Sequence, residues 1–130
     1  MADGSGILQV QTTVGDPADA DRLAEVLVDA GLAACVQVVG PIRSRYRWQG
    51  AIETAEEWLL LVKTTRAAWP RVEQALRGAH PYDEPELMAL AVEAGSAGYL
   101  GWVAAEVTSA EPDGAPAEPG GASPRGGAPG

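Results

Sequence analysis

The sequence predicts an α+β fold in which two β-α-β units surround a β-hairpin and a further helix closes the chain. Three observations lead to this prediction. Runs rich in β-branched residues alternate with two amphipathic stretches of helical period. A Gln-Gly turn signal joins two long strand-like runs in the middle of the chain. The length of 130 residues suits one domain.

The first β-α-β unit lies at the amino-terminal end of the chain. Residues 7–14 are rich in β-branched side chains and form the first predicted strand. A helix over 18–30 follows, with Asp16 as a candidate N-cap and Gly31 as a typical helix end. The apolar positions of this helix recur with a helical period: Leu23, Val26, Leu27 and Ala30. Residues 34–39 form the second predicted strand.

The central hairpin follows an interruption at Pro41. An extended pattern resumes over 43–48, and the turn at Gln49-Gly50 leads into a long return strand over 52–64. The two runs are therefore expected to pair with each other.

The second β-α-β unit closes with a helix, a connector and a strand. The helix spans 67–78 and has Pro70 in its first turn, where a missing N–H costs little. The connector at 80–85 contains two prolines, and the fourth strand spans 86–92. A last helix over 97–107 follows a capping signal.

This order, β-α-β-β-α-β plus a C-terminal helix, is that of a ferredoxin-like split β-α-β fold, whose sheet has helices on one face only. Alternate residues in the runs 58–63 and 87–92 are nevertheless apolar on both faces. A bare apolar sheet face needs a partner. The sequence therefore predicts a homo-oligomer.

Composition separates a folded part from a tail. Residues 110–130 contain 5 Pro and 6 Gly but no Val, Ile, Leu or aromatic residue, so this Pro/Gly/Ala-rich tail is predicted to be disordered and the domain to cover 1–109. The formal charge of −9 argues against a nucleic-acid binder and against a membrane-surface protein. The sequence shows no transmembrane run and no signal peptide, and Cys35 is its single cysteine. From these features we expect a cytoplasmic protein.

Five separated motifs resemble those of the CutA divalent-cation tolerance family, in order and spacing, from about Ile7 to Val107. They are Leu32-Ala33-Ala34-Cys35-Val36, Tyr46-Arg47-Trp48-Gln49-Gly50, Leu61-Val62-Lys63-Thr64-Thr65, His80-Pro81-Tyr82 with Pro85-Glu86, and Tyr99-Leu100-Gly101-Trp102. The resemblance implies a ferredoxin-like subunit in a homotrimer and a role in the response to and tolerance of divalent metal ions. It also implies copper binding in some members, an architecture similar to the PII signalling trimers, and no established reaction.

The candidate metal ligands lie in the connector after the second helix. His80 is the only histidine, and three carboxylates follow it within six positions: Asp83, Glu84 and Glu86. Imidazole and carboxylate suit Cu(II) and Zn(II), so copper or zinc is the expected cation. Some relatives carry a second His and a Cys where this chain has Ala79 and Thr12, which favours weak binding. The alternative is a purely structural role, in which His80 ends the helix and its positive form favours the dipole at the C-terminus.

The candidate ligand cleft combines residues of the hairpin with two others: Arg45, Tyr46, Arg47, Trp48, Lys63 and Tyr82. The alternative function is thus a PII-like small-ligand sensor or interaction module that uses clefts between subunits. Arg43, Arg45 and Arg47 share one strand face, which is either a solvated or intersubunit face or an anion contact. No Ser-His-Asp set, phosphate loop or catalytic carboxylate pair stands out, so the protein is not expected to be an enzyme.

Overall fold

The computed structural model describes residues 2–4 and 6–108. The strands within these residues are β1 Ala2–Asp3, β2 Ile7–Val14, β3 Cys35–Trp48, β4 Ala51–Thr65, β5 Met88–Ala91 and β6 Ala94–Gly95. The helices are α1 Pro17–Asp29, α2 Trp69–Ala79 and α3 Ala97–Glu106. The predicted tail at 110–130 lies outside the described residues. Among the described helices, none combines the length and the apolarity that a membrane crossing requires.

The main sheet has four antiparallel strands in the order β3-β4-β2-β5. The two β-α-β units interleave, because β4 of the second unit lies between β2 and β3 of the first. The α+β prediction is confirmed. A separate two-stranded sheet of β1 and β6 was not predicted, since two-residue strands leave no periodic pattern in a sequence.

The core lies between one face of the sheet and the helices. Val10 pairs with Val62 across β2 and β4, and both side chains are fully buried. The fully buried helix residues that join the same cluster are Leu23 and Leu27 of α1, Val72 and Leu76 of α2, and Val103 of α3. Burial of these apolar side chains stabilises the fold by about 25 cal/mol for each Å² of apolar surface removed from water.

The helix ends follow the sequence signals in part. Asp16 accepts a hydrogen bond from the Ala18 N–H at 2.8 Å, and Gly31 ends the helix region with a φ of +74°. Pro70 lies in the first turn of α2, where its missing N–H does no harm. Ser96 occupies the N-cap position of α3, but its side chain makes no capping hydrogen bond.

The opposite face of the sheet is also partly apolar. By strand alternation this open face carries Leu59 and Leu61 of β4 together with Met88 and Leu90 of β5. Met88 and Leu90 are 47% and 43% exposed. The predicted apolar character of both faces is therefore confirmed in the described part of the chain.

The β3–β4 hairpin extends beyond the rest of the sheet. β2 ends at Val14, opposite Trp58, whereas β4 begins seven residues earlier at Ala51. The two predicted runs before the turn form one strand, β3, with a register shift between Val39 and Ile42. Pro41, read as an interruption, is accommodated at this irregularity on the edge strand.

Candidate functional site

His80 follows the last residue of α2 and is buried against the end of β2. Its Nε2 atom lies 3.0 Å from both the Thr12 hydroxyl and the Thr13 carbonyl oxygen. Its Nδ1 atom accepts a hydrogen bond from the Tyr82 N–H at 3.1 Å. A carbonyl oxygen only accepts, so Nε2 carries the hydrogen and the ring is the neutral Nε2–H tautomer.

Burial of the His80 ring lowers its pKa below the ordinary value. The Thr13 carbonyl and the carboxylates of Asp19 and Glu57 oppose this effect, whereas the guanidinium of Arg22 adds to it. The neutral form therefore predominates near neutral pH.

Tyr82 occupies the space beyond the end of β2. Its hydroxyl donates to a carboxylate oxygen of Glu57 at 2.8 Å, and Glu57 is only 9% exposed. A side chain at Gly15 would bring its Cβ within 3.2 Å of this hydroxyl, so glycine leaves room for the ring. Burial and the Glu57 carboxylate together raise the pKa of Tyr82 above its ordinary value.

Glu57 was not among the site residues predicted from the sequence. It directly follows Glu56, and nothing in the pattern separates a buried carboxylate from a solvated one there. The only available signal was the apolar run that begins one residue later, which places Glu57 at the border of the core.

The other predicted metal ligands lie on the loop after His80. Burial, and then the charge of Glu57, raise the pKa of Glu86. Asp83 and Glu84 are exposed. Within residues 2–4 and 6–108, no group of three or more His, Cys, Asp and Glu side chains is positioned to hold a metal ion. The described part of the chain therefore does not assemble the four predicted ligands around a common point.

The chemistry of the His80 ring limits what it can bind. A metal ion needs a nitrogen lone pair, and in the Nε2–H tautomer the only lone pair is the one at Nδ1 that accepts from Tyr82. A change of tautomer would free Nε2 only by breaking its bond to Thr13. A cation at His80 must therefore displace a protein hydrogen bond, at a cost of about 1 kcal/mol or more.

The predicted cleft residues are spread along the chain's sheet and loops. Tyr46 and Trp48 lie on the open face of the hairpin, whereas Arg45 and Arg47 lie on the other face. Lys63 donates to the Gln37 side chain at 2.7 Å and stands twelve residues along β4 from the turn, roughly 40 Å at 3.3 Å per residue. The fold of a single chain therefore does not bring the six residues together.

A shallow depression of about 370 Å³ lies at the irregular part of the hairpin. It is lined by Pro41, Ile42, Arg43, Thr54, Ala55 and Glu56. It does not include His80, Tyr82 or Glu57, so it is separate from the buried hydrogen-bond network described above.

Comparison with known proteins places these features in a family. The family model described as "CutA1 divalent ion tolerance protein" matches residues 8–106. The divalent-cation tolerance protein CutA of Thermus thermophilus is 43% identical over 94 residues, which cover 72% of this chain and 91% of that protein. Protein CutA of Mus musculus is 40% identical over 84 residues, which cover 65% of this chain but only 48% of the mouse protein.

Solved structures agree with the sequence matches. The divalent cation tolerance protein from Thermus thermophilus superposes with a TM-score of 0.77 at 39% identity, covering 78% of this chain and 99% of that one. CutA from Synechococcus elongatus gives a TM-score of 0.79 at 37% identity, covering 82% and 95% of the two chains.

Proposed function

Because the chain belongs to the CutA1 divalent ion tolerance family, we propose that it acts in the tolerance of divalent cations as a homotrimer that catalyses no reaction. The family match over residues 8–106 is the observation that carries the functional part of this proposal. The cytoplasm is the proposed compartment, because the chain has one cysteine and no disulfide framework. Growth on graded copper and zinc concentrations, with and without the gene for this chain, tests the function. Unchanged tolerance in the deletion strain would overturn it.

The open face of the sheet supports the assembly. Met88 and Leu90 are both more than 40% exposed, and Tyr46 and Trp48 of the hairpin lie on the same side of the sheet. A soluble chain gains by covering such an apolar face, and a second copy supplies a matching surface. Light scattering tests the stoichiometry: a trimer of 13.4 kDa chains has a mass of about 40 kDa.

Cation binding at the His80 loop is weak in this proposal. Any ion at the ring competes with the Tyr82 N–H or with the Thr13 carbonyl, and the nearby acids Asp83 and Glu84 are solvated. Calorimetric titration of Cu(II) and Zn(II) into the native chain, a His80→Gln variant and an Asp83→Asn variant tests the loop. Submicromolar binding that disappears only in His80→Gln would contradict the expectation of a weak site.

A PII-like ligand site between subunits is the second candidate. The exposed aromatic pair Tyr46 and Trp48, 39% and 49% exposed, supports it, because such side chains line ligand clefts when a neighbour encloses them. Thermal shift measurements with anionic metabolites test the idea on the native chain and on a Trp48→Ala variant. The absence of any ligand-dependent shift in the native chain would remove this candidate.

A further inference from the structure

The depression on the β3–β4 hairpin has a polar side formed by three residues. They are Arg43 of β3 and Thr54 and Glu56 of β4. Arg43 stands opposite Glu56 in the strand register, so strand alternation places the three side chains on one face of the hairpin. β2 ends opposite Trp58, so no strand of the described sheet flanks β4 on that side at this position.

The irregular stretch of β3 borders the depression. The register shift falls between Val39 and Ile42, and the Trp58 ring packs close to the backbone of Gly40. A bulge bends its strand and changes the direction of the side chains that follow, and bulges are frequent beside functional sites. The volume of about 370 Å³ lies within the range of about 300–1,000 Å³ that is usual for small-molecule sites.

Arg43 and Glu56 carry opposite charges at the depression without neutralising each other. Directly opposed residues of antiparallel strands have Cβ atoms about 5 Å apart, which is close enough for an ion pair. The ion pairs found within residues 2–4 and 6–108 nevertheless lie on helices α1 and α2. Among the described side-chain hydrogen bonds of the hairpin, none uses either group. A guanidinium and a carboxylate are therefore both available to a ligand.

Thr54 supplies a neutral donor on the same face. Its hydroxyl oxygen accepts a hydrogen bond from the Arg45 guanidinium at 3.1 Å. A hydroxyl that accepts in this way keeps its own hydrogen for donation. Since Arg45 also brings a second positive charge to this side, an anionic oxygen in the depression would find donors at Arg43 and at Thr54.

From these observations we infer that the depression binds a free α-amino acid with an aliphatic side chain. The α-carboxylate accepts hydrogen bonds from the Arg43 guanidinium and the Thr54 hydroxyl. The α-ammonium group donates to the Glu56 carboxylate. A guanidinium suits a carboxylate because its parallel N–H groups can bind both oxygens.

The rest of the lining selects the aliphatic class. Pro41, Ile42 and Ala55 complete the depression, and none of them has a polar side chain. A simple anion would stand beside the Glu56 carboxylate, and a simple cation beside the Arg43 guanidinium, so each would meet a like charge. An α-amino acid carries both charges on one carbon atom and so satisfies both groups at once.

Binding at the depression does not require the proposed role in cation tolerance. Arg43 and Glu56 lie on the face of the hairpin opposite Tyr46 and Trp48, which the proposed trimer would use. A ligand on this face also leaves the outer edge of β3 free to pair with another subunit. The amino acid and the assembly therefore use different surfaces of the hairpin.

Titration of L-leucine into the full chain, followed by NMR shifts of the backbone amides, tests the inference. Saturable shifts are expected around 41–43 and 54–56, with a Kd of about one millimolar, because exposed charge pairs contribute little each. Two analogues separate the charges on the native chain. 4-Methylpentanoate lacks the ammonium group and L-leucinamide lacks the carboxylate, and each is expected to bind about fivefold more weakly than leucine or worse.

Two variants are expected to respond to the analogues in opposite ways. Arg43→Gln should weaken leucine and 4-methylpentanoate by about fivefold or more and leave leucinamide unchanged. Glu56→Gln should weaken leucine and leucinamide and leave 4-methylpentanoate unchanged. Arg47→Gln is the matched control, because Arg47 is an exposed arginine of the same face that does not line the depression, and it should keep the native affinity.

The native chain alone can overturn the inference, even where a variant folds poorly. No saturable shift at leucine concentrations about tenfold above the expected Kd would exclude an amino-acid site. Equal binding of leucine and its two analogues would show that the paired charges play no part. Shifts centred on Tyr46 and Trp48 would place the ligand on the opposite face and overturn the assignment to this depression.

Discussion

The hydroxyl of Tyr82 donates to a carboxylate oxygen of Glu57 at 2.8 Å, and this bond ties the loop after α2 to the base of the hairpin. Glu57 is 9% exposed and has no cationic partner in the described part of the chain, so the phenol is the group that offsets its burial. A buried acceptor that loses its donor is more costly than a hydrogen bond lost at the surface.

Replacing Tyr82 with Phe is therefore expected to destabilise the fold. The change removes one oxygen and leaves the Glu57 carboxylate without its donor, which costs about 1–3 kcal/mol. Urea unfolding followed by circular dichroism measures the free energy difference. Tyr46→Phe is the matched control, because Tyr46 is exposed and none of the described side-chain hydrogen bonds involves its hydroxyl. Equal stabilities of the two variants would contradict this account of the bond.

The stability of the protein should fall in mild acid because of His80. Burial lowers the folded-state pKa of His80, so the unfolded chain binds a proton more readily as the pH falls below about 6.5. Protonation at Nδ1 also places an N–H against the Tyr82 N–H. The free energy of unfolding is expected to decrease between neutral pH and the lowered pKa.

Comparison with a His80→Gln variant isolates this contribution. Glu86 acts in the opposite sense, because its raised pKa stabilises the fold at low pH and that stability is lost as the pH rises through the folded-state value. The difference between native and variant unfolding curves across pH 5–8 removes the shared carboxylate contributions. A constant difference in the free energy of unfolding over this range would show that the pKa of His80 is the same in the folded and unfolded states.

The architecture could be predicted because it depends on the periodicity of the apolar residues and on the residue types at turns. The helix at 17–29 shows a clear apolar stripe, a capping acid and a terminal glycine, and its predicted limits differ from the observed ones by one residue. The hairpin followed from its turn signal at Gln49-Gly50. The continuity of β3 through Pro41 could not be predicted, because proline is tolerated there only through the register shift after Val39.

The candidate site was less accessible to sequence reasoning. His80 was recognised as the only histidine, but its partners Thr12 and Thr13 lie 68 and 67 residues away, on β2. Burial makes the candidate ligand a hydrogen-bonded ring, and only the folded position of His80 against Thr12 and Thr13 reveals this. Composition and spacing describe which groups are near one another in the chain, not which lone pairs remain free.

Gly40 should tolerate no side chain. A Cβ built on Gly40 overlaps the Trp58 ring at Cδ1, so Gly40→Ala must displace the indole or the bulged strand. The expected loss is about 1–3 kcal/mol in the free energy of unfolding. Gly78→Ala is the opposite control, since a Cβ there meets nothing within 4 Å and helix α2 gains from alanine by about 1 kcal/mol. Thermal unfolding of both variants checks the predicted difference in sign.

A thiol at position 12 should create the metal site that the native chain does not assemble. The Thr12 hydroxyl lies 3.0 Å from the His80 Nε2 atom, so Thr12→Cys would bring a thiolate next to an imidazole. Thiolate and imidazole together favour Cu(I) and Zn(II), and affinity is expected to rise by about tenfold or more. Competition with a chromophoric chelator measures the gain, with Thr12→Ser as the control. Equal affinities of the two variants would show that Nε2 keeps its hydrogen bond to the Thr13 carbonyl rather than binding a metal.

A charge on the open face should break the proposed assembly. Leu90 is 43% exposed on β5, and a trimer that buries this face would place a carboxylate of Leu90→Glu in an apolar contact without a partner. The mass by light scattering is expected to fall from about 40 kDa toward that of one 13.4 kDa chain. Val26→Glu is the matched control, because Val26 is a similarly exposed apolar residue, at 38%, on helix α1. If both variants kept the native mass, the interface would have to lie elsewhere; if both dissociated, the loss would reflect general destabilisation rather than this face.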